Sequence, residues 1–281
     1  MFQKPAAIQV HFTEDCSPQQ QEEAHRVIIE RIKSFYKVKD FTMPENGGFS
    51  VTYFPEKKPD IIPELLREKG EIVIYESYVA AEISDLILKS FDTTKETEDT
   101  DNPLVDFIIS SRQMVSSDSP VVGMAREEDK EFIDSLFQNE TILDLLPTDV
   151  SFLWRKESQS NNSYYELITV KKTNSFPLNK KPVKKVKFES MRGYLFPQLM
   201  IELYPEFHQA WADLTRNNVG RCLPFVCDGK ILMNPMVNSE ITGGKLSIAG
   251  SFSAEEMYVI RGYLKGGVLN CPVAFQVRND F

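Results

Sequence analysis

Histidine, cysteine and long apolar runs are all scarce in this chain of 281 residues. The three histidines, His11, His25 and His208, share no metal-ligand spacing. Protein metal sites draw their ligands from clusters, so no metal centre is expected. The four cysteines, Cys16, Cys222, Cys227 and Cys271, contain no CxxC pair. Cys222 and Cys227 stand five apart on an apparent strand and so point to opposite faces, which argues against a disulfide or metal pair between them. Cysteine usage therefore leaves the redox compartment open. No stretch approaches the roughly 18 apolar residues of a membrane-spanning helix. No G-x-S-x-G, H-E-x-x-H or Cys/His nucleophile arrangement occurs. Gly243-Gly244-Lys245 lacks the frame of a phosphate-binding P-loop. The expectation is a protein without catalysis and without a cofactor.

What is present is ordinary for a folded protein: 42% hydrophobic and 11% aromatic residues. The length allows one large domain or two smaller ones. With 41 acidic and 32 basic residues the net charge is −9, which disfavours general nucleic-acid binding. The basic run Lys180, Lys181, Lys184, Lys185 and Lys187 has no interleaved aromatic residues and reads as a solvated strand edge. The start, Met-Phe-Gln-Lys-Pro-Ala-Ala-Ile, shows no basic segment followed by a long apolar run. No signal peptide is visible, and with Met1 as the true start the expected location is cytoplasmic.

Periodicity divides the chain. Ile8 to Phe12 alternates as a strand. Ser17-Pro18 caps a helix whose apolar residues Ala24, Val27, Ile28, Ile32 and Phe35 recur at helical spacing. Two strands flank Asn46-Gly47-Gly48, a hairpin turn. A second helix carries Ile61, Ile62, Leu65 and Leu66, and Ile72 to Tyr75 is a fourth strand. The order βαββαβ is the ferredoxin-like pattern, which places a first domain at residues 1–78. Residues 79–150 read as a helical insertion. Within it, 92–102 has five acids, four threonines and no large apolar residue, and reads as a linker. Residues 151–281 form a second α+β region. It contains a hairpin around 158–163, a helix opened by Pro205 with Phe207, Trp211 and Leu214 as its apolar side, and a strand leading into Asp228-Gly229. Ser253 and Glu256 have the spacing of a capping box. The last strand, Val273 to Val277, has the option of returning to the first domain.

The stretch from Trp211 to Pro272 is specific. It contains LTRNNVG, DG, PMVN, ITGG, SIAGSFSAEE and LKGG in that order. The ordered positions are Leu214, Thr215, Asn218, Val219, Gly220, Asp228, Gly229, Pro235, Val237, Asn238, Ile241, Thr242, Gly243, Gly244, Ile248, Gly250, Phe252, Glu255, Glu256, Leu264 and Gly267. This resembles the head of the first periplasmic domain of the SecD/SecDF protein-export family. The helix segment Val27-Ile28-Ile29-Glu30-Arg31-Ile32 looks like a helix in the base of the same domain. Tyr75-Glu76-Ser77-Tyr78 and the stretch from Asp144 to Trp154 look like segments of the longer SecDF variants.

The resemblance implies a ferredoxin-like base joined to an α/β head, located outside the membrane. It implies contact with unfolded or translocating polypeptide, or with a Sec-related membrane protein. Pro224, Met233, Arg261 and Asn270 depart from the family pattern and mark a divergent, stand-alone paralogue without the membrane helices and their proton relay. Read from the residues alone, the motif glycines answer backbone needs such as tight turns, and Glu255 and Glu256 suit a helix start. The functional expectation is a polypeptide-binding module. A structural paralogue without an export role and an enzyme of unrecognised type are the alternatives.

Overall fold

A computed structural model of the chain describes residues 4–13, 15–42, 48–55, 60–90, 103–112, 116, 118–156, 164–179, 181–189 and 198–278. The Asn46-Gly47 turn, the acidic stretch 92–102, the connection 158–163 and Lys180 lie outside these residues.

The first elements are β1 (Ala6–Phe12), α1 (Pro18–Lys33), β2 (Lys37–Thr42), β3 (Gly48–Phe54), α2 (Ile62–Arg67) and β4 (Ile72–Tyr75). Then come α3 (Ala80–Ser90), α4 (Pro103–Arg112), β5 (Val121–Arg126), α5 (Lys130–Phe137) and α6 (Glu140–Leu143). They are followed by β6 (Val150–Lys156), β7 (Tyr164–Lys171), β8 (Ser175–Pro177), β9 (Val183–Glu189) and β10 (Gln198–Leu203). The last are α7 (His208–Asn217), β11 (Phe225–Cys227), β12 (Lys230–Met233), β13 (Lys245–Ile248), α8 (Ala254–Gly266) and β14 (Val273–Arg278). The architecture is α+β; among the described residues four sheets are ordered β14-β1-β3-β2, β13-β10-β9, β12-β11-β4-β8 and β5-β7-β6.

The chain divides into two compact units. One comprises 1–72, 177–209 and 242–281, the other 73–176 and 210–241. This division follows different lines from three consecutive segments with boundaries at 78 and 150. The reason lies in the first unit's sheet. β1 pairs antiparallel with β3 on one side and with β14 on the other, and β2 pairs with β3. The fourth place, beside β1, belongs to β14 and not to residues 72–75. The continuous βαββαβ reading of 1–78 is therefore corrected: β4 joins a different sheet. Its burial explains why. Ile72, Val73 and Ile74 are all buried, so both faces of the strand are covered. An outer strand of a sheet with one wet face instead alternates, as β14 does.

The core of the first unit gathers Ile8, Val10 and Val51 from the sheet with Val27, Ile28 and Ile32 from α1. Helix α1 begins in a capping box: Ser17 Oγ accepts from the Gln20 amide, and Gln20 Oε1 accepts from the Ser17 amide. Helices α1 and α8 pack closely, because Gly262 and Gly266 leave no side chain between them. A Cβ at Gly266 would lie 2.4 Å from Arg31 Cγ.

Arg31 is the notable member of this core. It is 0% exposed. Its guanidinium donates to the carbonyls of Leu65 (2.7 Å), Glu68 (3.0 Å), Lys69 and Gly267 (2.8 Å), and it stacks 4.6 Å from the Tyr263 ring centroid. Carbonyls at helix ends lack intrahelical donors and carry partial negative charge, so one buried cation here satisfies the ends of α2 and α8 together. A disulfide, Cys16–Cys271, joins the segment after β1 to the segment before β14, with Cα atoms 6.2 Å apart. Spacing along the chain carried no sign of that bond.

In the second unit, Ile83 and Ile87 of α3, Leu104 and Ile108 of α4, and Ile133 and Phe137 of α5 pack with Val122, Ala125 and Leu167 of the β5-β7-β6 sheet. Strand β5 falls inside 79–150 and corrects the purely helical reading of that stretch. It pairs with β7, which also forms the expected hairpin with β6. Helix α7 buries Trp211, Ala212 and Thr215 rather than Phe207, Trp211 and Leu214. Pro205–Phe207 is a 3-10 turn, so the α-helix starts later and in a different phase.

Candidate functional site

The motif residues fall on both units. In the second unit, Thr215 and Asn218 are buried at the end of α7. Thr215 Oγ1 donates to the carbonyls of the preceding turn and accepts from the Ile241 amide at 2.9 Å. Asn218 Nδ2 donates to the Leu214 carbonyl at 2.8 Å, which closes the helix. Beyond it, the Gly220 amide donates to the Val237 carbonyl, and the Leu223 amide donates to the Pro235 carbonyl. Asp228 and Gly229 form the two-residue turn between β11 and β12, both with positive φ (47° and 78°). That is the hairpin turn whose twist matches the strands, and glycine meets the second position without strain. Pro224 stands just before β11, and its carbonyl accepts from the Tyr75 amide at 3.0 Å. Asn238 is exposed. Val219 and Met236, 51% and 53% exposed, flank the paired loops around Gly220 and Pro235.

In the first unit, Thr242 and Gly243 are exposed, while Gly244 is buried with φ 59° beneath the His208 ring. The Gly244 carbonyl accepts from the Leu203 amide, continuing the β10-β13 pairing. Gly250 is exposed beside the half-buried Phe252. Glu256 and Ser253 make the capping box of α8: the Ser253 amide donates to Glu256 Oε2 at 2.7 Å, and the Glu256 amide donates to Ser253 Oγ at 3.1 Å.

These residues shape turns and helix ends. Among the described residues no group of three or more His, Cys, Asp or Glu could hold a metal ion. Cys222 and Cys227 are buried and outside the disulfide, and burial pushes the Cys222 thiol up, away from the thiolate a nucleophile needs. No helix among the described residues is long and apolar enough to cross a membrane.

What the fold offers for recognition is strand edge. Each sheet ends in two outer strands: β14 and β2, β13 and β9, β12 and β8, β5 and β6. Most are guarded. β9 carries Lys184, Lys185 and Lys187, β2 carries Lys37 and Lys39 with a register shift, β5 has a register shift, and β8 holds Pro177. Such features oppose pairing with a further strand. Sequence reading singled out the motif residues and, through its lysine run, the β9 edge; the other edges leave no local mark, because an edge is defined by its missing neighbour.

Residues 166–271 match the family model described as SecDF, P1 head subdomain. A protein translocase subunit SecD of Rhodothermus marinus is 29% identical over 157 residues, covering 54% of this chain and 25% of the relative. A protein translocase subunit SecD of Sebaldella termitidis is 41% identical over 81 residues, 29% of this chain and 20% of the relative. The matched stretches thus span a quarter or less of the length of these relatives. A crystal structure of SecDF in the super-membrane-facing form superposes with a TM-score of 0.50, covering 97% of this chain and 30% of that one, at 15% identity. That likeness speaks to the fold alone.

Proposed function

We propose that this SecD-like chain is a non-catalytic binding protein of protein export that holds polypeptide in extended form. The matched relatives are named translocase subunits. The observation that carries the reading is the architecture of four small sheets, each with two outer strands. An outer strand presents a row of backbone donors and acceptors, and an extended chain fits such a row whatever its sequence. That suits a protein that meets many different clients. The arrangement of Thr215, Asn218, Gly220, Gly229 and Gly244 supports it as scaffold, holding the turns between strands. A Sec-related membrane protein is the partner that would bring the clients near.

The test is photo-crosslinking with reduced, unfolded client chains carrying a photoreactive side chain. Adducts should form with this chain well above those of an unrelated protein of net charge −9. Equal yields with the two proteins would sink the proposal.

A further inference from the structure

The lysines of β9 belong to a larger arrangement on the β13-β10-β9 sheet of the first unit. Val186, Leu199, Ile201, Leu203, Leu246 and Ile248 are buried on one face of this sheet, where α8 packs against β9 and β10. Alternation sends the residues between them to the opposite face. There the central strand β10 carries Met200 and Glu202. Lys187 and Lys185 of β9 stand across from them on one side, and Ser247 and Lys245 of β13 on the other. The register shift beside Glu202 leaves Lys184 as an extra residue on β9, and it turns to this face too: its Nζ lies 2.6 Å from Glu202 Oε1. Tyr204, 41% exposed, extends the β10 column, and its phenol is near enough to act on Lys184.

Lys184, Lys185, Lys187 and Lys245 are all exposed, while Met200 and Ser247 are half-buried. Four lysines on two strands thus enclose one carboxylate. The hydrogen bond from Lys184 first, and the charges of Lys185 and Lys245 after it, hold the Glu202 carboxyl below its usual range. Among the described residues of these three strands the one further acid is Glu189, at the far end across from Gln198. The face is therefore net positive on a chain of net charge −9. It is also broad. Strands lie about 4.8 Å apart and alternate residues roughly 6.7 Å along a strand, so Lys185, Lys187 and Lys245 spread in two directions rather than along one line. An extended polypeptide presents charge along a line, and edge lysines oppose its addition as a strand. Anionic lipid headgroups present charge over a plane. Lysine stems, a tyrosine ring and a methionine suit the layer between headgroup and acyl chain.

We propose that this face of the β13-β10-β9 sheet docks on the surface of an anionic lipid bilayer, with Lys185, Lys187 and Lys245 over the headgroups and Tyr204 and Met200 between them. Charge supplies the attraction, so the contact is reversible and sensitive to salt. Glu202 keeps Lys184 on the face and moderates the attraction. This goes beyond the polypeptide-binding reading and stands independently of it.

Co-sedimentation of the full chain with vesicles tests it. The probes are vesicles of phosphatidylcholine alone and of phosphatidylcholine mixed in equal parts with phosphatidylglycerol. The chain should sediment with the mixed vesicles at low salt, stay in solution with phosphatidylcholine, and be released at about 0.5 M salt. Lys185→Gln, Lys187→Gln and Lys245→Gln together should weaken binding about 100-fold, at roughly fivefold for each lysine near an anionic surface. Glu202→Gln removes the central carboxylate and should tighten binding about fivefold. Lys33→Gln, Lys39→Gln and Lys89→Gln make the same change in net charge elsewhere and should leave binding as it was. Equal sedimentation with both kinds of vesicle, or with neither, overturns the proposal. So does an equal loss in the two triple variants, because net charge rather than this face would then set the affinity. Labelled polyglutamate that binds more tightly, per negative charge, than the mixed vesicles would assign the face to an acidic polypeptide and also overturns it.

Discussion

The two units solve one problem in different ways. Each is built from segments far apart in sequence and must hold them in register. The first unit does so with a buried cation and a covalent bond: Arg31 draws together carbonyls from residues 65–69 and Gly267, and Cys16 is bonded to Cys271. The second unit adds hydroxyl ties to ion pairs such as Lys171–Glu76 and Arg221–Glu82. Thr215 ties α7 to Ile241, Ser77 Oγ donates to the Cys222 carbonyl at 2.8 Å, and Thr169 Oγ1 donates to the Tyr78 carbonyl at 2.8 Å. The difference follows from what is being joined. The first unit brings helix ends together, and their carbonyls favour a positive charge. The second joins loops, where single amides and carbonyls need single partners.

Arg31→Met should therefore show the largest effect. Methionine fills similar space but leaves the buried carbonyls of Leu65, Glu68 and Gly267 without their charged donor. The expected loss is about 3–5 kcal/mol for the first unit. Arg31→Lys should recover only part of it, because an ammonium cannot reproduce the planar fork. Hydrogen exchange along α1 reads the first unit. Trp154 and Trp211, which are the chain's two tryptophans, both lie in the second. A tryptophan transition that moves as far as exchange in α1 would break the contrast between the units.

Reducing the disulfide, or Cys16→Ser with Cys271→Ser, should come next. The bond closes a loop of sequence separation 255, and chain entropy alone puts its contribution at up to about 5 kcal/mol, with roughly 2–4 typical. The loss should fall on the β1-β14 pairing, since Cys16 follows β1 and Cys271 precedes β14. Exchange in β14 should accelerate more than in β2. Equal acceleration in both strands would show that the bond restrains the unfolded chain without organising that flank. A chemical denaturation series with and without reductant gives the magnitude.

Much of this was readable locally. Ser17-Pro18 and the spacing of Ser253 to Glu256 announced their helices, and both helices begin in a capping box. Alternation marked β1, the turn-rich stretch 158–163 marked the β6-β7 hairpin, and the ordered motif from Trp211 to Pro272 pointed to the SecD-like head that residues 166–271 match. Periodicity reports which side of an element is covered, but not by what. The run Ile72-Val73-Ile74 was seen as a strand and assigned to the wrong sheet, although burial on both faces is written in its composition. Arg31 stood inside a recognised helix segment, yet its partners lie 34 to 236 residues away, where no local pattern could name them. The Cys16–Cys271 bond is equally remote.

Thr215→Val is the smallest of the changes and the most direct test of the hydroxyl ties. Valine matches threonine in shape, so the packing around Trp211 and Ala212 should survive. The hydroxyl is lost as acceptor, and the partly buried Ile241 amide is left without it. A single unmet amide costs about 1–3 kcal/mol, less than a stripped helix-end cage because one group rather than several is exposed to the deficit. Thr215→Ser keeps the acceptor and loses a buried methyl, so its cost should come from packing, about 1 kcal/mol. Urea unfolding followed by tryptophan fluorescence resolves the two, since Trp211 lies one turn away on α7. If valine were tolerated as well as serine, the Ile241 amide would have another partner within reach, and the second unit would owe its register to packing rather than to these hydroxyls.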